Sequence, residues 1–227
     1  MMNTSEKLQP ELFDFYDSVP GVAELFPSVW TAAEKLTSAD VKERESGLDQ
    51  LIDLDAHRLS PLIAYLIATC LADPDIEFRY KVVQTIGGLM LRGEKYGIPT
   101  ERVKQSLKNY LSQMRRRRIF ALLQVSEYHP SAESSVVALF KGCSHAGKTL
   151  SDIFLDRKIQ LEVRRQAIRF SGMVGFLDAV PGLEKLAARL EVRMSGQRSM
   201  PFATPIDQHE KSLLPTVQTA LAILNFP

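Results

Sequence analysis

Apolar residues recur at spacings of three and four along most of the chain, and no strict alternation runs through several segments. The pattern therefore predicts helices and gives strands little support. The clearest stretch is 59–91. Ser60 is placed to cap a helix that opens with Pro61, the favoured first position, and Leu62, Ile63, Leu66, Ile67 and Leu71 form its apolar stripe. Asp73-Pro74-Asp75 breaks the run, because proline disfavours helix at the residue before it. A second helix is predicted from about Ile76 to near Gly93, burying Phe78, Val82, Val83, Ile86, Leu89 and Met90. Two helices and a tight turn make a hairpin that cannot bury both of its faces alone.

The same layout returns along the chain. Arg44, Leu48 and Leu51 have the spacing of Arg79, Val83 and Ile86, and Arg118, Leu122 and Val125 repeat it. A fourth copy begins at Arg164 with Ala167, Ile168 and Gly172. The arginines are 35, 39 and 46 residues apart, a period that marks stacked repeats with insertions in the later ones. A helix from about Thr100 to Gln113, carrying Val103, Leu107, Tyr110 and Leu111, precedes the third copy.

These residues carry a resemblance. Asp73-Pro74-Asp75-Ile76-Glu77-Phe78-Arg79 with the apolar run to Gly87 resembles a HEAT repeat, as does Leu161 to Gly172. Asp178 to Leu186 is similar to the next helix start in the short HEAT-like repeats of phycobilisome lyases. The resemblance implies an all-α fold, a right-handed α-α superhelix (a HEAT-like solenoid) of about five helix pairs. Residues 1–37 would form an N-terminal helical cap with Phe13, Phe15, Tyr16, Leu25, Phe26 and Trp30 as apolar material, and Trp30 is assigned to its core. Residues 38–192 would be repeats; 193–227 would hold an inserted loop over 194–206 and a closing helix over 207–225, all in one continuous domain. The resemblance also implies that the recurring arginine bonds a turn aspartate of a neighbouring repeat.

Composition is ordinary for a globular chain, with 45% apolar and 24% charged residues. Cys70 and Cys143 lack metal-ligand spacing, no basic flank leads into an apolar leader, and no apolar run reaches the roughly 20 residues that span a bilayer. A reduced, cytoplasmic protein away from membranes is expected. The net charge of +1 conceals a polarity: residues 1–90 carry 7 Lys/Arg against 15 Asp/Glu, and residues 91–169 carry 16 against 7. Such polarity bears on the choice of partner and allows self-association through oppositely charged halves.

Gly142-Cys143-Ser144-His145-Ala146-Gly147-Lys148-Thr149 matches the phosphate-loop pattern G-x-x-x-x-G-K-[ST] letter for letter. A working phosphate loop needs a parallel sheet, and the residues after it carry helical spacing instead, so a helix-to-helix turn is expected. Arg115-Arg116-Arg117-Arg118 spreads around a helical turn, with Arg118 in the recurring inward slot. Lys104 and Lys108 lie four apart on one helix face, and with Arg115, Arg116 and Arg117 they are the expected electrostatic contacts for a partner. Lys141, Lys148, Arg157, Lys158, Arg165 and Arg169 could extend a basic stripe.

Some HEAT-like proteins are DNA glycosylases that use aromatic residues and a carboxylate beside a groove; no matching motif stands out. Iron-dependent HEAT-type hydroxylases use several His-Glu pairs, and this chain has only His209-Glu210, with His57, His129 and His145 dispersed. No metal or cofactor is therefore expected. The expected function is a non-catalytic scaffold that engages a protein partner with an acidic surface. The alternatives are a nucleic-acid binder using residues 91–169 and a nucleotide-binding phosphate-loop protein.

Overall fold

A computed structural model describes residues 26–91, 99–196 and 208–225; over these the chain is all-helical, with no strand. The predicted aromatic cap before Phe26, the helix end at Gly93 and the loop beyond Gly196 fall outside the described residues. No helix among the described residues is long and apolar enough to cross a membrane. The chain forms two compact units, Met1–Tyr110 and Leu111–Pro227.

The first unit contains α1 (Pro27–Lys35), α2 (Val41–Asp53), the short α3 (Ala56–Leu59), α4 (Pro61–Thr69), α5 (Ile76–Met90) and most of α6 (Glu101–Leu111). Each well-formed start has a local cause. Asp40 accepts from the Lys42 N–H, Ser60 from the Ile63 N–H, Asp75 from the Phe78 N–H and Thr100 from the Val103 N–H, so four helices open on a side-chain cap. The core holds Leu48, Leu51, Ile63, Ile67, Leu71, Phe78, Val83 and Ile86. α1 and α2 approach closely at Gly47, where a Cβ would stand 2.6 Å from the Ala32 carbonyl oxygen. Two expectations need correction. Trp30 is 42% exposed instead of buried, because α1 turns Val29, Ala32 and Ala33 inward. Leu62 is also exposed, because Ile63, Ala64, Ile67 and Ala68 form the inner face of α4.

Arg44 is buried and joins α2 to the turn before α5. Its Nη2 donates to Asp73 Oδ1 at 3.0 Å, its Nη1 donates to the Ser38 and Ala39 carbonyls, and its guanidinium lies over the Phe78 ring. Arg79 is likewise buried and donates to the Asp73 and Pro74 carbonyls. Both arginines therefore satisfy turn groups that a helical hairpin would otherwise leave without donors.

The second unit contains α7 (Arg116–Tyr128), α8 (Glu133–Lys141), α9 (Ala146–Leu155), α10 (Leu161–Val174), α11 (Val180–Gly196), α12 (Gln208–Lys211) and α13 (Leu214–Asn225). α10 is the central element and packs against α7, α8, α9 and α13. Its Phe170 meets Phe140 edge-on, and its Gly172 lies so near α13 that a Cβ would stand 2.9 Å from the Ala220 Cα. α10 stops at Gly175, whose φ of 87° is left-handed, with the Phe176 N–H donating to the Ser171 carbonyl. The predicted closing helix is two pieces, α12 and α13. Pro215 has no N–H and its ring would clash with the preceding turn, so it sits in the first turn of a new helix. The predicted loop from residue 194 begins later, because α11 runs to Gly196.

Candidate interaction surface

The run of arginines falls at the start of α7. Arg115 is the N-cap with extended backbone and no side-chain capping bond, and the first turn contains no acidic residue. This is the reverse of α2 and α5, whose first turns carry an aspartate cap and a glutamate. Cations at a helix N-terminus oppose the macrodipole. Arg115 and Arg117 are exposed, Arg116 donates to Asp156 Oδ2 at 3.3 Å, and Arg118 is half-buried. Lys104 and Lys108 belong to the first unit and Arg115–Arg117 to the second. On α6, Lys104 is tied to Glu101 at 2.7 Å, and that bond holds the Glu101 carboxyl below its usual range, while Lys108 is exposed.

In the second unit the positive surface continues from Arg116. Asp156 receives Arg116 on one oxygen and the Lys158 N–H on the other at 3.0 Å, so it fixes the turn that presents Arg157 and Lys158. The Nε of Arg157 lies 3.7 Å from Glu210 Oε1. The same oxygen accepts from Arg164 at 2.8 Å and from Arg189 at 3.0 Å. Arg164 is 3% exposed and also donates through Nε to the Phe154 carbonyl. Arg165 donates to Glu162 and, at 3.0 Å, to Ser212. Among the described residues, three guanidiniums thus surround one buried carboxylate.

Burial alone would push the Glu210 carboxyl up, but the bond from Arg164 and the charges of Arg164, Arg189 and Arg157 outweigh it and hold the group below its usual range. A carboxyl lowered in the folded state stabilises the fold fully above its unfolded pKa and loses that contribution as pH falls through the folded value. Urea midpoints of the native chain and Glu210→Gln should therefore differ most at neutral pH and converge in acid. A gap that is constant with pH would contradict this account.

Glu210 was missed as the counterion of Arg164. The sequence drew notice only to the His209-Glu210 dipeptide as a metal pair, and local spacing gives no sign of a partner 46 residues away.

The phosphate-loop motif is a helix-to-helix turn. Gly142 ends α8, so the motif follows a helix where a phosphate loop would follow a strand, and α9 begins at Ala146. The Lys148 N–H donates to Asp178 Oδ2 at 3.0 Å, so a carboxylate stands where a phosphate would need this amide. Gly147 makes room for it, since a Cβ there would lie 1.9 Å from Asp178 Oδ1. His145 Nε2 lies 2.8 Å from the Met114 carbonyl, which can only accept, so this nitrogen carries the proton. Cys143 Sγ lies 3.6 Å from His145 Nε2 and 3.8 Å from Nδ1. Burial pushes its thiol up, away from the thiolate a nucleophile needs. The Lys148 N–H and the His145 ring are thus engaged within the second unit.

Compared with known proteins, the chain matches no family model, no curated protein and no solved structure.

Proposed function

We propose that this chain is a non-catalytic, HEAT-like helical-repeat protein of the right-handed α-α superhelix kind, which engages the acidic surface of a protein partner. Burial of the arginine in three of the four copies, Arg44, Arg79 and Arg164, supports the repeat reading. Arg44 reaches the Asp73 turn in the first unit, and Arg164 reaches Glu210 in the second, each joining one helical segment to a later one.

The observation that carries the binding reading is the start of α7. Exposed Arg115 and Arg117 stand with Arg116 on an uncapped, acid-free first turn, beside the turn that presents Arg157 and Lys158. Each misplaced cation at a helix start costs about 0.3–1 kcal/mol. Helix stability gains nothing from this arrangement, whereas an acidic partner would be attracted and oriented by it. Lys108 on the first unit adds an exposed cation to the chain's positive segment.

The test is fluorescence anisotropy with a labelled oligoglutamate peptide and a labelled DNA duplex, each across a range of salt. Oligoglutamate should bind the native chain, and joint reversal of Arg115, Arg116 and Arg117 to glutamate should weaken it by about tenfold or more. Tighter binding to DNA, with affinity falling steeply with salt, would instead support the nucleic-acid reading. Sedimentation of the same samples reads the self-association that the opposed charges allow.

A further inference from the structure

Arg157 differs from the other two guanidiniums around Glu210. Arg164 and Arg189 donate hydrogen bonds to the carboxylate, whereas the Nε of Arg157 stands at 3.7 Å, beyond hydrogen-bond reach, and its side chain is 46% exposed. With no hydrogen bond to Glu210 and its own guanidinium open to water, Arg157 is held weakly. The backbone of Arg157 is placed by other groups: Asp156 closes the turn through the Lys158 N–H and anchors it to Arg116. Arg157 thus has a fixed base, a long exposed side chain and a loose hold on its nearest carboxylate. Glu210 has the opposite character, since it is buried and anchored by Arg164.

We infer that Arg157 is a shared contact, drawn to Glu210 in the unbound chain and turned to a carboxylate of the acidic protein partner in the complex, so that Glu210 competes with the partner for it. This rests on the reading of the surface above and adds a residue and a built-in competitor to it. Charge complementarity identifies the occupant: Arg157 and Lys158 project from one turn, beside the exposed cations at the start of α7. A partner segment carrying several carboxylates would meet these cations together. Glu210 cannot leave with the partner, because its bonds to Arg164 and Arg189 remain.

The experiment is a double-mutant cycle read by oligoglutamate binding to the full chain, with circular dichroism as the check on folding. Arg157→Ala should weaken binding about fivefold, and Arg157→Lys should retain most of it. Glu210→Gln should strengthen binding by a similar factor, and that gain should vanish when Arg157 is alanine. An equal gain from Glu210→Gln in both backgrounds would show that Glu210 acts through general charge, and would overturn the proposal. Should Glu210→Gln fail to fold, the exposed Arg157 variants decide alone: unchanged binding in Arg157→Ala overturns it. The two readings fail differently. If oligoglutamate does not bind, or binds equally after reversal of Arg115–Arg117, the surface reading fails. If that reversal abolishes binding while Arg157→Ala changes nothing, only the shared contact fails.

Discussion

Arg164→Ala should destabilise the second unit by about 3–5 kcal/mol, the usual cost of removing one partner of a buried ion pair. The size follows from what stays behind. Glu210 would remain buried with its shortest charged hydrogen bond gone, and the Phe154 carbonyl would lose the Nε donor. Arg189 and Arg157 are too exposed, and Arg157 too distant, to replace a guanidinium that is 3% exposed. Arg116→Ala is the internal control. Its pair with Asp156 is half-exposed at 3.3 Å, so its loss should cost under about 1 kcal/mol. Urea denaturation followed by circular dichroism measures both, and similar midpoints for the two variants would contradict the distinction between them.

Gly147→Ala should cost about 2–3 kcal/mol, the sum of a lost cap and a forced displacement. The added Cβ would overlap Asp178 Oδ1 and crowd the Phe176 Cβ at 2.8 Å, so Asp178 must leave the Lys148 N–H. Asp178→Ala alone should cost about 1 kcal/mol, as for a removed N-cap. The double variant should be more stable than Gly147→Ala, because the clashing carboxylate has gone. A phosphate-loop role predicts a different pattern: Mg-ATP would raise the melting temperature of the native chain, and Lys148→Ala would abolish the rise. Thermal melts with and without Mg-ATP separate the two accounts. A nucleotide-dependent rise would count against the turn being structural.

The predicted helices and their starts were legible because they depend on neighbours in the chain. Ser60 before Pro61 and Asp75 before Ile76 are caps whose donors lie three residues on, and the break at Asp73-Pro74-Asp75 follows from the proline alone. The recurring arginine was readable in part: Arg44, Arg79 and Arg164 are buried, but Arg118 is only half-buried. Of the three buried ones, Arg44 meets a turn aspartate side chain, whereas Arg79 bonds turn carbonyls and Arg164 bonds Glu210. Exposure was less readable. Leu62 and Trp30 fit an apolar stripe by residue type, yet the packed face of each helix lies to one side of them. The phosphate-loop motif shows the limit most plainly. Its eight letters are local, but its chemistry depends on what precedes it and on what occupies the helix start, here α8 and Asp178.

The cationic surface divides along the same line. The sequence by itself determined that the positive charge gathers in residues 91–169 and that Arg118 differs from Arg115–Arg117 in its slot. Only the tertiary structure decided which cations are spent on distant counterions: Arg116 on Asp156, and Arg164 with Arg189 on Glu210. It also placed Lys104 and Lys108 in one unit and the arginines in the other. The physical reason is range. Helix spacing and capping act over three or four residues and are written in the order of the chain. Arg44 meets Asp73 across 29 residues, and Arg164 meets Glu210 across 46, so each pair is chosen by how the helices pack.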